Sequence, residues 1–330
     1  MQLLAQKLKK SYIENLKKEV SPIDLTWIRV WVYTIILWKL LSRDFSYIAL
    51  MDSSLLEFYP IFHYQADLYH LTGFKFIVDI LTFHWIHWFI HFPTITILKN
   101  IQITLIILSL IIIFFGSGYK NMNAIIFYIL AMYLWGFMYR TSSDFDGSQI
   151  LLQICLLFCF KKHKDYSLIS FYYKKKVRNN RYNSSIFFNL IIGIFGFYYF
   201  CSGLHKFYDL NIIQWFMFDF TKIVKYYIEL ENSGNFRKIY EIFYYIPESS
   251  FLDNILAPIA YCSHLIAFLI ILNRKYIKHF ALFYIIFHLL NFSIGIAFTG
   301  LMLAWLIFLP ISRFIETFKK LMGIKLINNV

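Results

Sequence analysis

Long apolar runs, nearly free of charge and separated by clusters of lysine and arginine, constrain this chain more than any other feature. A helix that crosses a bilayer needs roughly 20 apolar residues, fewer where its ends snorkel or the membrane thins. Runs of this kind fall near 25–41, 101–116, 123–139, 149–160, 185–203, 253–272, 280–297 and 299–312. The fourth and the last are short, which leaves them tilted, buried among neighbours or only partly spanning. Of the 330 residues 59% are hydrophobic and 15% charged. A soluble domain is nearer a quarter charged, because water must be met by polar surface. The expected fold is therefore all-α: a polytopic membrane helix bundle of about eight transmembrane helices.

Sidedness follows from the basic residues. With the N-terminus inside, segments 1–24, 117–122, 161–183, 273–279 and 311–330 are cytoplasmic and carry 21 of the 32 Lys and Arg. The outer segments 42–100, 140–148 and 204–252 are longer together yet carry only 9. Cytoplasmic loops are the basic ones, so both termini are expected in the cytoplasm of a cell-membrane protein. The organisation reads as a basic, amphipathic N-terminus over 1–24, a membrane domain over 25–312 and a basic tail over 313–330. Residues 1–20 are polar and the first apolar run is too long for a signal-peptide core, so no cleaved leader is expected. The net charge of +13 is absorbed by this topology, and no nucleic-acid recognition motif accompanies it. The inner loop KKHKDYSLISFYYKKKVRNNR suits anionic headgroups, which makes the lipid bilayer the first partner. Arg29 and Lys39, near the two ends of the first span, are expected to snorkel.

Two outer stretches, LTFHWIHWFIHF (81–92) and QWFMFDFTKIVKYYI (214–228), look like amphipathic interfacial helices. His84, His87 and His91 share a helix face, with His63 and His70 upstream, a spacing that serves either an interfacial helix or zinc. No metal is assigned, and HWIHW is not the HExxH of metalloproteases. Cys155, Cys159, Cys201 and Cys262 form no CxxC, and small apolar filler accounts for them.

Three stretches hold residues with chemistry. In GFYYFCSGLHKFYDLNIIQW (196–215), His205 and Lys206 stand at the outer end of an apolar helix. Lys206 is either a snorkelling boundary residue or, desolvated among apolar walls, a neutral amine able to act as a base. In YRTSSDFDGSQ (139–149), Asp144 and Asp146 precede a helix, either as caps or, for Asp146, as a polar anchor facing the same outer space. In FHLLNFSIGIAFTGLMLAWLIFLP (287–310), His288 and Asn291 lie one turn apart within a span, where polar residues face the bundle interior as helix-to-helix bonds or as functional groups.

In these blocks the chain resembles the horizontally transferred transmembrane (HTTM) family, the membrane-domain relatives of vitamin K-dependent gamma-glutamyl carboxylase. The likeness is carried by Asp146-Gly147 followed by LLQICLLFCF, by YYFCSGLHK followed by Trp215, and by His288, the small-residue middle and the closing Met302-Leu303-Ala304. It spans most of 25–315. The resemblance implies an eight- or nine-helix fold with an active site at the outer face. It also implies a lyase-type reaction in which Lys206 deprotonates a reduced vitamin K-type quinone, and a peptide or protein substrate. His205, Asp146 and His288 are then the further catalytic candidates, with Trp215 and Asn291 toward the cofactor. The sequence departs from the carboxylase in having no histidine just before Asp146-Gly147, in a longer Lys206-to-Trp215 gap, and in lacking the large lumenal domain. The alternative is a non-catalytic membrane partner in maturation or export of a small peptide. A transporter is disfavoured because no paired Gly/Pro-broken spans repeat in two halves.

Overall fold

The computed structural model describes residues 6, 13–14, 20–50, 93–117, 121–141, 148–160, 181–209, 258–259, 262–293, 299–309 and 311–314. Among these, the side chains of 47, 50, 136–141, 148–149, 181–183, 202, 204–209, 290–293 and 299–301 are not described. All regular structure among the described residues is helical. The main helices are α1 (Pro22–Ser42), α2 (Ile95–Phe115), α3 (Met122–Thr141), α4 (Ser148–Cys159) and α5 (Arg181–Asp209). They are followed by α6 (Cys262–Leu272), α7 (Ile277–Ser293) and α8 (Thr299–Trp305), the last continued by a 3-10 turn over Leu306–Phe308. Each apolar run read from the sequence thus contains a helix. Three segments, Pro22–Ser42, Ile95–Phe115 and Ser184–Cys201, are long and apolar enough to cross a membrane. The outer stretches 81–92 and 214–228 lie outside the described residues.

Local chemistry sets the ends of the first two helices. Ser21 caps α1 by accepting from the Ile23 N–H at 3.2 Å, and Pro22 occupies the first turn, where its missing N–H costs nothing. Thr94 does the same for α2, accepting from Ile97 at 3.3 Å. That helix stops at Gly116, whose φ of 88° lets its N–H turn back to the Ile112 carbonyl at 3.1 Å.

Packing divides the helices into a hub and a rim. In α1, 56% of the apolar window is buried, against 28% in α2. The α1 stripe Leu25, Ile28, Val32, Ile35, Ile36 and Leu40 is covered by α2, α4, α8 and the turn after it. On α2 only a narrow seam is covered, and Ile103, Ile107, Leu110 and Phe114 point outward, 41–55% exposed. So large an exposed apolar face suits lipid tails rather than water. The short α4 is buried among α1, α3, α5 and α8 through Ile150, Leu151, Ile154, Cys155 and Phe158.

Two expectations for α1 are corrected. Arg29 and Lys39 do not snorkel: Arg29 is fully buried and Lys39 is 3% exposed. The Arg29 guanidinium donates through Nη1 to the carbonyls of Ile112 and Ile113 in the last turn of α2, where intrahelical partners run out. Both positions fall on the covered face of α1, which the polarity of the residues alone did not reveal. At the other end the roles reverse: Gln102 of α2 donates to Leu40 and Arg43, at 2.6 and 2.8 Å, at the end of α1. The two antiparallel helices therefore cap each other.

The first turn of α1 meets the residues that follow α8. Asp24, in the first turn of α1, accepts from the N–H and the hydroxyl of Ser312, both at 3.0 Å. Nearby, the Arg274 guanidinium lies 4.3 Å from the centre of the Phe188 ring. Burial lowers the Arg274 pKa to about 10, against a raising influence from the Asp24 carboxylate, so it stays cationic at neutral pH.

Close approach between α5 and α6 depends on glycine. A Cβ at Gly203 would sit 3.1 Å from the Leu265 backbone nitrogen and 3.1 Å from His264 Cβ, neither of which can swing away. At Gly193 nothing lies within 4 Å. Gly203→Ala is expected to destabilise by roughly 1–3 kcal/mol as the helices are forced apart. Gly193→Ala should gain roughly 0.5–1 kcal/mol from helix propensity. Unfolding of both variants in the same detergent checks the contrast, and equal midpoints would contradict it.

Candidate functional site

Where α5, α6, α7 and α8 meet, the core is aromatic and polar at once. Tyr199 of α5 is the centre, 1% exposed. Its hydroxyl accepts from Trp305 Nε1 at 2.8 Å and lies 2.5 Å from Nε2 of His288. An indole N–H only donates, so the Tyr199 oxygen accepts from Trp305, while the direction of its bond with Nε2 is set by the His288 tautomer. Around this pair the rings are closely stacked: Tyr284 on Trp305 at 4.9 Å and 13°, and Tyr199 on Tyr284 at 4.1 Å. The Tyr284 hydroxyl donates to the Ser263 carbonyl at 2.8 Å, joining α7 to α6. His264, 5% exposed, lies with its ring 5.4 Å from Tyr199 and 5.8 Å from Phe287.

Such a cluster does two things physically. It supplies polar groups with partners where water is scarce, so its bonds fix how α5, α7 and α8 are rotated against one another. It also contains a hydroxyl–imidazole contact along which a proton can shift without any heavy atom moving.

The residues selected from the sequence fall on this frame unevenly. His288 is in the cluster, 3% exposed and bonded to Tyr199. Asn291 lies in α7, three residues further on, and His205 and Lys206 lie in the last turns of α5; their side chains are not described. Asp144, Asp146 and Trp215 lie outside the described residues, as do His63, His70, His84, His87 and His91. Among the described residues no group of three or more His, Cys, Asp or Glu could hold a metal ion.

Backbone register nonetheless relates Lys206 to the cluster. Gly196, Tyr199, Gly203 and Lys206 are spaced at i, i+3, i+7 and i+10 along α5 and share one stripe. At Gly196 and Gly203 this stripe meets α6, with Ile271 side-chain carbons 2.7 Å and His264 Cβ 3.1 Å from where a Cβ would be. Lys206 follows Tyr199 by seven residues, about 10.5 Å along the axis.

Sequence reasoning missed Tyr199, Tyr284, His264 and Trp305. Tyr199 and Trp305 were within blocks already singled out, but nothing in an aromatic-rich chain distinguishes one tyrosine from its neighbours. The available signal was the i, i+7 pair of small residues flanking Tyr199, a spacing that marks close helix packing.

Tyr199→Phe keeps the ring and removes the oxygen, leaving the Trp305 N–H and the His288 nitrogen without it. The expected cost is about 1–3 kcal/mol, read as a lowered unfolding midpoint in detergent. A variant as stable as the parent would show that the hydroxyl does not hold these helices together. No family model, no curated protein and no solved structure matches the chain, so its function is argued from this geometry and the residue pattern.

Proposed function

We propose that this chain is a multi-pass protein of the cell membrane, with about eight crossings, cytoplasmic termini and an HTTM-type fold, acting as a quinol-dependent, carboxylase-like enzyme with Lys206 as base. The observation that carries the reading is the bonding of Tyr199 to both His288 and Trp305. It joins the block YYFCSGLHK to the first and last parts of the block running from Phe287 to Pro310. The block LLQICLLFCF packs against the same helices, because α4 contacts α5 and α8. The described parts of the three stretches that carry the family resemblance therefore lie against one another, which supports the reading.

Topology has its own support. Asp24 and Ser312 meet, which supports a reading in which the first span begins on the side where the last one ends and the crossings between them are even in number. The basic loops argue for the cytoplasm as that side. An impermeant maleimide on whole cells should label a single cysteine introduced over 140–148 and spare one over 161–183, in a background lacking the four native cysteines. The reverse pattern would invert the topology and put Lys206 on the wrong face.

Close packing on α5 bears on where a quinol ring would lie. At Tyr199 the rings are in contact, and at Gly203 there is no space even for a methyl group. In this reading the ring lies beyond Gly203 along α5, at the level of Lys206. A quinol supplies an acidic hydroxyl whose deprotonation opens reaction with oxygen. In this reading Lys206, kept neutral by apolar surroundings, accepts that proton. Tyr199 and His288 hold α5 against α7 and α8, so that the stripe ending in Lys206 keeps its direction. His205, Asp146, Trp215 and Asn291 remain the candidates for lining the same space.

Purified protein given a reduced naphthoquinone and oxygen is expected to form the epoxide, and Lys206→Ala to lose that activity by a factor on the order of 100 or more, the usual scale for a general base. Absence of epoxide with the parent protein, or an unaffected Lys206→Ala, overturns the enzymatic reading. One observation favours a second reading, a non-catalytic partner in peptide maturation or export: the ring of His288 is engaged in holding helices together. Co-purification of a small secreted peptide with Lys206→Ala as well as with the parent would support that alternative.

A further inference from the structure

The ring cluster around Tyr199 has a property that holding helices together does not require. Three oxidisable rings, Tyr199, Tyr284 and Trp305, lie in direct contact, with centroids 4.1, 5.3 and 4.9 Å apart. Rings this close exchange an electron readily, because their π systems overlap. Each is at most 1% exposed, so a radical formed on them is shielded from water and from a second radical.

Where an electron vacancy settles in such a stack depends on the proton. A phenol that loses an electron becomes strongly acidic, so it stays oxidised only where a base takes its proton. Tyr284 donates to the Ser263 carbonyl, which is no base, and Trp305 donates to Tyr199. Tyr199 is bonded to a base, Nε2 of His288, at 2.5 Å. With the imidazole proton on Nδ1, the phenol proton lies on this bond. A way in exists as well. The half-buried Tyr198 ring lies 5.8 Å from Tyr199, and Leu190 and Phe197, 50% and 39% exposed, turn the adjoining side of α5 toward lipid.

We infer that Tyr199 is a redox-active tyrosine, with His288 as its proton acceptor, that reduces lipid-borne oxygen-centred radicals of the peroxyl class. The peroxyl radical takes one electron through Tyr198 and one proton from water at the interface, leaving a hydroperoxide and hydroxide. Tyr199 supplies the electron. Its O–H bond breaks and the proton passes to Nε2, giving a neutral phenoxyl beside an imidazolium. No hydrogen bond changes partners, so the bundle keeps its packing while the tyrosine is oxidised. The step needs neither Lys206 nor a quinol, so it and the carboxylase-like reading can fail separately.

The full chain in nanodiscs is exposed to a lipid-soluble azo initiator in air, whose decomposition supplies alkylperoxyl radicals. Samples are then frozen for electron paramagnetic resonance. The expected signal is a neutral tyrosyl radical coupled to an exchangeable proton, the coupling disappearing after preparation in deuterated water. Tyr199→Phe loses this signal. His288→Gln, which keeps a hydrogen-bonding group near the position of Nε2 but no base, loses it too, whereas a purely structural histidine would leave it in place. Should Tyr199→Phe fail to fold, the exchangeable coupling in the parent together with the loss in His288→Gln carries the test. No tyrosyl signal in the parent, a parent signal without the exchangeable proton, or an undiminished signal in either variant overturns the proposal.

Discussion

Helix ends are the constraint on which this bundle depends. The last four carbonyls of any helix lack intrahelical partners, and in a hydrocarbon environment water does not replace them. The chain meets this need with side chains from neighbouring helices. Arg29 of α1 serves the end of α2, and Gln102 of α2 serves the end of α1. Trp31 and Trp27, stacked on each other at 5.0 Å, donate to the Leu303 and Leu306 carbonyls at 2.8 and 3.1 Å, where α8 tightens into its final turn. Asn121 reaches the Cys159 carbonyl at the end of α4 at 3.2 Å. Helices as short as α4 and α8 can therefore end within the protein rather than at a membrane surface.

The same constraint explains what could be read in advance. Apolar runs announce helices because the bilayer demands internally bonded backbone, and every run chosen on that ground contains one. Which face of a helix is covered is a different matter. In α1 apolar residues occur on all sides, so periodicity gives no direction, and Arg29 and Lys39 were placed at the interface by polarity alone. Their burial is set by the helices around them, which no local pattern encodes. Trp27 and Trp31 read equally well as interfacial anchors, and only tertiary contact shows them to be caps.

For the candidate site the legible part was the position in the chain, and the hidden part was the pairing. His288 was recognised because an ionisable group inside a span is costly. Its partner Tyr199 was not, because tyrosine is one of 25 in this chain and its hydroxyl becomes informative only beside Nε2. The consequence for function is specific. A histidine whose ring is bonded to a buried tyrosine at 2.5 Å is better suited to fixing geometry than to meeting a substrate. The proposed chemistry therefore moves outward along α5, past Gly203, to Lys206.

This division of labour has a physical logic. Polar side chains within the bundle are costly, and most of those described are spent on joining one helix to another: Arg29, Gln102, Asn121, Tyr199, Tyr284 and Trp305 each bond across a helix boundary. Groups that hold a fold in this way are poorly placed to change partners during a reaction, because each exchange would leave a buried donor or acceptor unmatched. Reactive or ligand-binding groups are then expected where the helices end and the bonding network thins. Lys206 stands at the C-terminal end of α5. The rigid interior and the chemistry proposed at Lys206 are thus two parts of one arrangement: the polar contacts inside fix the helices, and α5 carries its lysine beyond them.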